Sequence, residues 1–269
     1  MATATGVARA GLFGPDTVIW RVNRELVLLA GGGRALLLQV AHPLVAAGVA
    51  QHSDYERDPW GRLFRTLEVT TKIVFGENET AEAAARRLAR VHGEVTGTAE
   101  DGTPYDARDP GLLLWVWATL VDSSLLVYQR CVRPLSGVEL RRYYAEQREF
   151  ARACGVPDGR CPETLAGFRD YFDEVVASEL RVTGPARRVA DSVMRPRVPW
   201  PLLPAFAPNR LLTVGLLPPA VRAQYGFEWG SSQERLLALA TASLRRVVPL
   251  LPGPVRHFPE ARAAFARCG

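Results

Sequence analysis

An uncharged apolar run of ten residues, LLLWVWATLV at positions 112–121, constrains the fold of this chain more than any other feature. It lies in a predicted helix over about 111–130 that is apolar on every side along this stretch. A helix of that kind is usually buried at the centre of a protein. The run is far too short to cross a bilayer. We therefore expect a central core helix surrounded by other helices, and no transmembrane segment.

The remaining apolar residues recur mostly at helical spacing. A first element carries Ile19, Val22, Leu26 and Leu29 and is expected to end at the glycines 31–33. Residues 35–41 then run into His42-Pro43, which predicts a broken or kinked helix because proline disfavours helix at the residue before it. Further helices are predicted over about 58–76, 79–96, 136–153, 163–181 and 231–248, with polar or proline-rich connectors at 96–110, 195–208 and 250–259.

No convincing alternating strand pattern and no internal repeat accompanies these helices. The predicted fold class is therefore all-α, a single-domain multi-helix bundle over residues 1–269.

Composition narrows the class of protein. With 269 residues, 48% of them hydrophobic and 23% charged, the chain can bury a sizeable core and is not expected to be disordered. The net charge of +5 is nearly all arginine, and no basic run alternates with aromatic residues, so no nucleic-acid partner is predicted. The four cysteines form no Cys-x-x-Cys pair and the first residues lack a long apolar segment, which predicts reduced thiols and a cytoplasmic location.

Several common catalytic motifs are missing from the sequence. Gly-x-Gly-x-x-Gly, Gly-x-x-x-x-Gly-Lys and Gly-x-Ser-x-Gly do not occur, which weighs against dinucleotide, P-loop and hydrolase sites. Neither Glu-x-x-His nor His-Glu-x-x-His occurs, so a di-iron carboxylate bundle and a zincin are not supported. What remains is a group of histidines, three of which (His42, His52 and His92) fall in the first hundred residues.

His92 lies on the apolar face of its predicted helix. It shares that face with Leu88, Val91 and Val95. From the residues alone it is either a neutral core histidine bonded to a carbonyl oxygen or an axial ligand to haem iron, which needs a histidine in an apolar pocket between helices.

A polar cluster lies on the preceding helix. Arg62, Arg65 and Thr66 stand at i, i+3 and i+4 and share one face. They form a solvated face with ion pairs to Glu68 or Asp58, or they bind a pair of haem propionates, or they line a polar distal pocket.

Two further features leave alternatives open. Asp122 directly follows the apolar run and predicts a structural ion pair, for which Arg62 and Arg65 are candidate partners. His42 and His52 flank PLVAAGVAQ, whose small residues allow the close approach of either a neighbouring helix or a flat ligand.

Three segments together resemble a known family. They are QVAHPLVAAGVAQHSDYERDPWGRLFRT, RVHGEVTG and DGTPYDARDPGLLLWVWATLVDSSLLVYQR, and the similarity covers roughly residues 15–180. They resemble the bacterial branch of the family once called DUF2236, which includes the mpaB-type oxygenase and the rubber oxygenase known as latex clearing protein. The resemblance implies an all-α protein that binds haem b and uses dioxygen to cleave alkene bonds in isoprenoid chains.

The resemblance also implies roles for single residues. The family's Arg-x-x-Lys-Thr motif is similar to Arg62-Leu63-Phe64-Arg65-Thr66, and the later axial histidine is similar to His92. This implies that His92 binds the iron, that Arg62, Arg65 and Thr66 line the pocket on its other side, and that His42 and His52 are further pocket residues.

Two departures from the family pattern bear on activity. Arg65 replaces the lysine, and a guanidinium does not deprotonate to offer iron a neutral nitrogen. Trp117 stands where bacterial relatives often carry histidine, which implies altered chemistry if that histidine takes part in the reaction.

The sequence thus predicts a haem-b-dependent oxygenase or oxidase that acts on a small hydrophobic substrate, of isoprenoid or alkene type, with dioxygen or a peroxide. The alternative is a non-catalytic all-α binding protein whose apolar cavity holds a lipid or a partner helix.

Overall fold

The computed structural model describes residues 11–53, 59–195 and 207–268, with only the backbone described at residues 59, 60, 62–64 and 207. Over these ranges the chain is almost entirely helical, which confirms the all-α prediction. The first helices are α1 (Val18–Asn23), a 3-10 helix (Leu26–Gly31), α2 (Gly32–Ala41), α3 (Pro43–His52), α4 (Pro59–Phe75) and α5 (Asn78–Glu94). After a hairpin of β1 (Thr96–Thr98) and β2 (Pro104–Asp106), the chain forms α6 (Pro110–Cys131), α7 (Gly137–Ala153), α8 (Leu165–Ser178) and α9 (Gly184–Met194). The last described range contains α10 (Ala207–Gly215), α11 (Pro219–Gln224), α12 (Ser231–Val247), a 3-10 turn (Val248–Leu250), α13 (Gly253–Arg256) and α14 (Pro259–Cys268).

The predicted break at His42-Pro43 is confirmed. His42 has the extended backbone (φ −78°, ψ 122°) that a residue before proline prefers, and Pro43 occupies the first turn of α3. The chain bends by 108° at this point. The glycines at 31–33 behave differently from the prediction: they join the 3-10 helix directly to α2 instead of ending the element.

The helix α6 is the central element, as the apolar run predicts. Asp109 caps it by accepting hydrogen bonds from the backbone N–H groups of Gly111 (2.8 Å) and Leu112 (3.1 Å). The indole of Trp115 donates to the Leu38 carbonyl oxygen in α2 (3.2 Å). With 22 residues α6 is long and apolar enough to cross a membrane, but most of its apolar stretch is buried by the other helices, as expected of a core helix.

The polar connector after α5 contains a small hairpin that the sequence pattern does not predict. β1 pairs with β2 in antiparallel register, with Gly97 opposite Tyr105. The hairpin is fastened to α3, since Tyr105 donates to the Gln51 side chain (2.6 Å) and Gln51 donates to the Thr98 carbonyl oxygen (2.9 Å). A Cβ atom on Gly97 would lie 2.7 Å from the Tyr105 hydroxyl, so a larger residue here would displace the side chains that fasten the hairpin to α3.

The ion pair predicted for Asp122 exists, and its partner among the described side chains is Arg34, not the predicted Arg65. Asp122 binds the buried Arg34 of α2 across 2.6 Å. Arg34 also donates to the Leu216 carbonyl oxygen (2.6 Å) and to the Ser123 hydroxyl (2.7 Å). This guanidinium therefore joins α2, α6 and the end of α10.

A second buried charge ties the C-terminal segment to the N-terminal helices. The Glu25 carboxylate is fully buried and accepts two hydrogen bonds from Arg256, at 2.7 and 2.8 Å. Beside this pair the Phe258 backbone N–H donates to the Arg24 carbonyl oxygen (2.9 Å). These bonds thus attach the segment from α13 onward to Arg24 and Glu25, the two residues that connect α1 to the 3-10 helix.

Candidate functional site

A large apolar cavity opens between α3, α4, α5, the hairpin and the middle of α6. Its volume is about 590 Å³, which lies within the range of small-molecule and cofactor sites. Most of its wall is aliphatic or aromatic, including Val45, Val49, Val69, Leu112, Val116 and Leu120. The bend at His42-Pro43 directs α3 along one side of the cavity, so this local sequence feature helps to form the site.

His92 lies on the wall of this cavity, in the last turn of α5. Leu88, Val91 and Val95 line the cavity beside it, so the apolar face predicted for this helix is the face that the cavity uses. Burial lowers the pKa of the His92 imidazole below its ordinary value. No hydrogen bond or ion pair to this side chain occurs among the residues that the structure describes. The site therefore presents a neutral, half-buried imidazole.

The neighbouring helix α4 brings Arg65 and Thr66 to the same cavity. Glu68 also lines it and binds Lys72 (2.6 Å) and Arg87 (3.5 Å). The hydrogen bond from Lys72 is the main cause of the lowered pKa of Glu68. The side chain of Arg62 and the whole of Asp58 lie outside the described residues, so the predicted Arg62 role stays a prediction.

The other two predicted histidines have different surroundings. His52 lines the cavity at its exposed end, where one ring nitrogen is 3.0 Å from the Thr96 carbonyl oxygen and the ring stands edge-on to Tyr105. His42 is absent from the described cavity wall; its Nε2 lies 3.6 Å from a Glu179 carboxylate oxygen. The structure thus brings His92, Arg65, Thr66 and His52 together and places His42 apart from them.

The sequence analysis does not predict several residues of the cavity wall. Phe150 and Cys154 come from the end of α7, outside the segments that resemble the family, and Gln39 of α2 begins the first of those segments but belongs to no spacing motif. Burial raises the pKa of the Cys154 thiol to about 12, so this thiol is protonated at neutral pH. Trp117, noted above as a departure, lines the cavity and donates its indole N–H to the Gln147 carbonyl oxygen (3.1 Å).

The donors around the cavity suit a large hydrophobic cofactor that carries one metal. Among the described residues no group of three or more histidine, cysteine or acidic side chains could hold a bare metal ion. A haem iron needs only one or two protein ligands, since the macrocycle supplies the others. His92, whose imidazole has no partner among the described residues, would hold the metal of such a group, the aliphatic wall would enclose its ring, and Arg65 and Arg87 would face its carboxylates.

Fold and site together define a helical protein with a large, mostly apolar cavity that His52 and His92 line. The chain belongs to the family of the ER-bound oxygenase mpaB/B′ and rubber oxygenase catalytic domain, whose model matches residues 20–249. At this level the chain is an oxygenase catalytic domain.

Two mycobacterial proteins are among its relatives: the uncharacterized proteins Mb2261 of Mycobacterium bovis and Rv2237 of Mycobacterium tuberculosis. Each is 27% identical over 224 residues, which cover 81% of this chain and 87% of the relative. No solved structure matches the chain significantly.

Proposed function

We propose that this chain binds haem b in the large cavity, with the His92 imidazole as axial ligand to the iron. The observation that carries the proposal is the neutral imidazole of His92, which faces an apolar cavity without a hydrogen-bond partner among the described residues. The matched family is an oxygenase family, which supports oxygen chemistry at this cavity.

The proposed substrate is a small hydrophobic molecule of isoprenoid or alkene type, oxidised with dioxygen or a peroxide. When bound, haem b supplies the redox chemistry that side chains lack. The chain's own residues hold and shape the site. The apolar wall excludes water and binds the substrate, and Thr66 offers a hydroxyl donor beside it.

Arg65 has a defined part in this proposal. A guanidinium group supplies hydrogen bonds and positive charge but no ligand to iron. We therefore propose that it neutralises a propionate or orients the oxidant, and that no side chain from position 65 binds the iron.

Absorption spectra of the purified protein test the proposal. We expect a Soret band, present on purification or after hemin is added, that is lost or strongly shifted in His92→Ala. External imidazole should restore the spectrum of that variant, because it replaces the missing ligand without repairing any packing defect. His257→Ala is the matched control, since His257 lies beside Glu25 and away from the cavity.

Two outcomes would contradict the proposal. One is a wild-type protein that stays spectrally unchanged when hemin is added, which would favour the non-catalytic binding protein. The other is a His92→Ala variant whose spectrum equals that of the wild type.

A further inference from the structure

A second, smaller cavity lies behind the first. Its volume is about 170 Å³, and its wall comes from α1, the 3-10 helix, α2, α4, α6, α7, α9, α10 and Phe258. An apolar cavity of about 150 Å³ is large enough to bind benzene. The smaller cavity therefore has room for a ligand fragment of similar size.

The two cavities share part of their walls. The shared residues are Gln39, Thr66, Thr70, Leu120 and Phe150. The two spaces are thus adjacent, and a molecule that extended from the smaller cavity into the larger one would pass between these side chains.

Four primary amides line the smaller cavity: Asn209 is partly buried, and the other three are buried with incomplete hydrogen bonds. Asn23 is only 9% exposed, yet its side chain makes no hydrogen bond or ion pair with any residue that the structure describes. Gln39 and Gln147, also buried, each make one, to the Thr119 hydroxyl (3.1 Å) and to the Tyr143 hydroxyl (2.9 Å). A primary amide has two donor hydrogens and an acceptor oxygen, and buried amides are normally bonded. The unused groups indicate a polar partner inside this cavity.

The wall is also uncharged. Among its described residues the polar side chains are amides and hydroxyls only, and the others are glycine or apolar. A carboxylate or an ammonium group placed here would lose its hydration without gaining an opposite charge, which is costly. The partner is therefore neutral. Because free amide groups of both kinds face the cavity, a hydroxyl, which both donates and accepts, matches them best.

We infer that the smaller cavity binds the hydroxyl end of an uncharged, otherwise apolar molecule, and that the Asn23 amide is the group that recognises it. If the larger cavity holds haem, this molecule is the substrate, and its remaining part reaches the reaction site past Gln39 and Phe150. That last statement rests on the proposed function, whereas the binding of the alcohol does not.

Ligand-observed NMR with four probes of equal chain length tests the inference: n-hexanol, hexane, hexanoate and hexylamine. We expect n-hexanol to bind better than hexane, and the two charged probes to bind weakest. In Asn23→Leu, which keeps a similar volume, the affinity for n-hexanol should fall about tenfold while that for hexane stays equal or rises.

The stability of the variant separates recognition from structure. Leucine replaces an amide that has no hydrogen bond to any described residue, so Asn23→Leu should unfold at the same or a higher temperature than the wild type in the absence of ligand. A side chain with a structural role would lower that temperature. If Asn23→Leu does not fold, Asn23→Ala provides the same comparison of n-hexanol with hexane.

Measuring the four probes on hemin-free and hemin-loaded protein distinguishes this inference from the proposed function. If hemin fails to bind but n-hexanol is still preferred and depends on Asn23, the inference stands and the haem proposal fails. Equal binding of n-hexanol and hexane, no binding of any probe because water fills the cavity, or an unchanged n-hexanol affinity in both Asn23 variants would overturn the inference.

Discussion

The imidazole of His42 is buried at the bend between α2 and α3, and this burial is the main reason that its pKa lies below the ordinary value. The charges of Glu179 and Asp109 act in the opposite direction without cancelling the effect. In the unfolded chain the imidazole has a pKa of about 6.5. As the pH falls through that value, the unfolded chain takes up a proton that the folded chain does not. This contribution to stability is therefore present above the unfolded pKa and is lost as the pH falls below it.

We expect the hemin-free protein to unfold at a lower temperature when the pH is lowered from about 7.5 to about 5.5. One histidine accounts for at most about 1.4 kcal/mol per pH unit. The His42→Gln variant, which cannot titrate, should show a smaller decrease in a thermal melt at each pH. His52→Gln, at the exposed end of α3, is the control and should follow the wild type. Identical pH dependence in wild type and His42→Gln would rule out this role of His42.

If the larger cavity holds haem, as proposed, the side chain at position 65 affects which groups can reach the iron from α4. Arg65 keeps its charge, whereas a lysine can lose its proton and bind a metal. In the hemin-loaded protein we expect Arg65→Lys to add a pH-dependent shift of the Soret band that the wild type lacks. Arg87→Lys changes another arginine of the same cavity and should not add this shift. Superimposable spectral titrations of wild type and Arg65→Lys would contradict the expectation.

At the scale of elements, the Arg34 guanidinium organises the packing of α2 on α6. Burial lowers the pKa of Arg34, and the nearby Asp122 raises it. The Asp122 carboxylate therefore stabilises the charged form of the buried guanidinium. Asp122→Asn keeps the shape of the side chain but removes its charge. We expect this variant to lose about 2–3 kcal/mol of unfolding free energy in urea titration, at the low end for a broken buried pair because Asp122 is 30% exposed.

An exposed ion pair supplies the comparison for this experiment. Asp106 and Arg108 pair at the surface across 2.6 Å, and pairs of that kind contribute little to stability. The free energy of unfolding of Asp106→Asn in urea should therefore be almost equal to that of the wild type. If Asp106→Asn and Asp122→Asn lose equal amounts of unfolding free energy, the burial of Arg34 does not determine how much stability the Asp122 pair contributes.

The sequence predicts those helices whose own residues show a clear apolar pattern. The helices α4, α5, α6, α7, α8 and α12 each repeat apolar residues at helical spacing over several turns, and their observed bounds lie close to the predicted ones. The hairpin has strands of three residues, too short for an alternating pattern, and it is held by Gln51 of another element. The chain stays helical through the glycines at 31–33. Gly31 and Gly33 allow Val127 and Thr213 to approach the backbone closely, and the local sequence pattern does not show these tertiary contacts.

Only part of the candidate site can be predicted, because some of its residues come from helices that are distant in the sequence. His92 and Arg65 follow from helix faces and from the family resemblance, and both lie on the cavity. Gln39 and Phe150 reach it from α2 and α7, and Asn23 reaches the smaller cavity from α1. Their positions depend on how distant helices pack, which the spacing of residues within one helix does not determine.

At the scale of the whole molecule, the Glu25–Arg256 pair joins the beginning of the fold to its end. Glu25→Gln leaves the Arg256 charge partly buried without a counter-ion, which we expect to cost about 3 kcal/mol. The segment from α13 onward should then detach first. Limited proteolysis with trypsin, followed by mass spectrometry, should show faster cleavage after Arg256 and Arg262 than in the wild type.

A surface pair again provides the control. Glu149→Gln removes an exposed partner of Arg152 in α7 and should leave the cleavage pattern unchanged. If Glu25→Gln and wild type are cleaved at the same sites and rates, the pair does not hold the C-terminal segment in place.

The C-terminal tie also has a consequence for how the protein is made. The described lining of the larger cavity comes from residues 39–154, whereas the smaller cavity also needs Asn209 and Phe258. Since a ribosome releases a chain from its N-terminus, every described wall residue of the larger cavity is synthesised well before Phe258. A haem captured during translation would enter a pocket whose wall is already complete, while the smaller cavity stays open until Arg256 reaches Glu25.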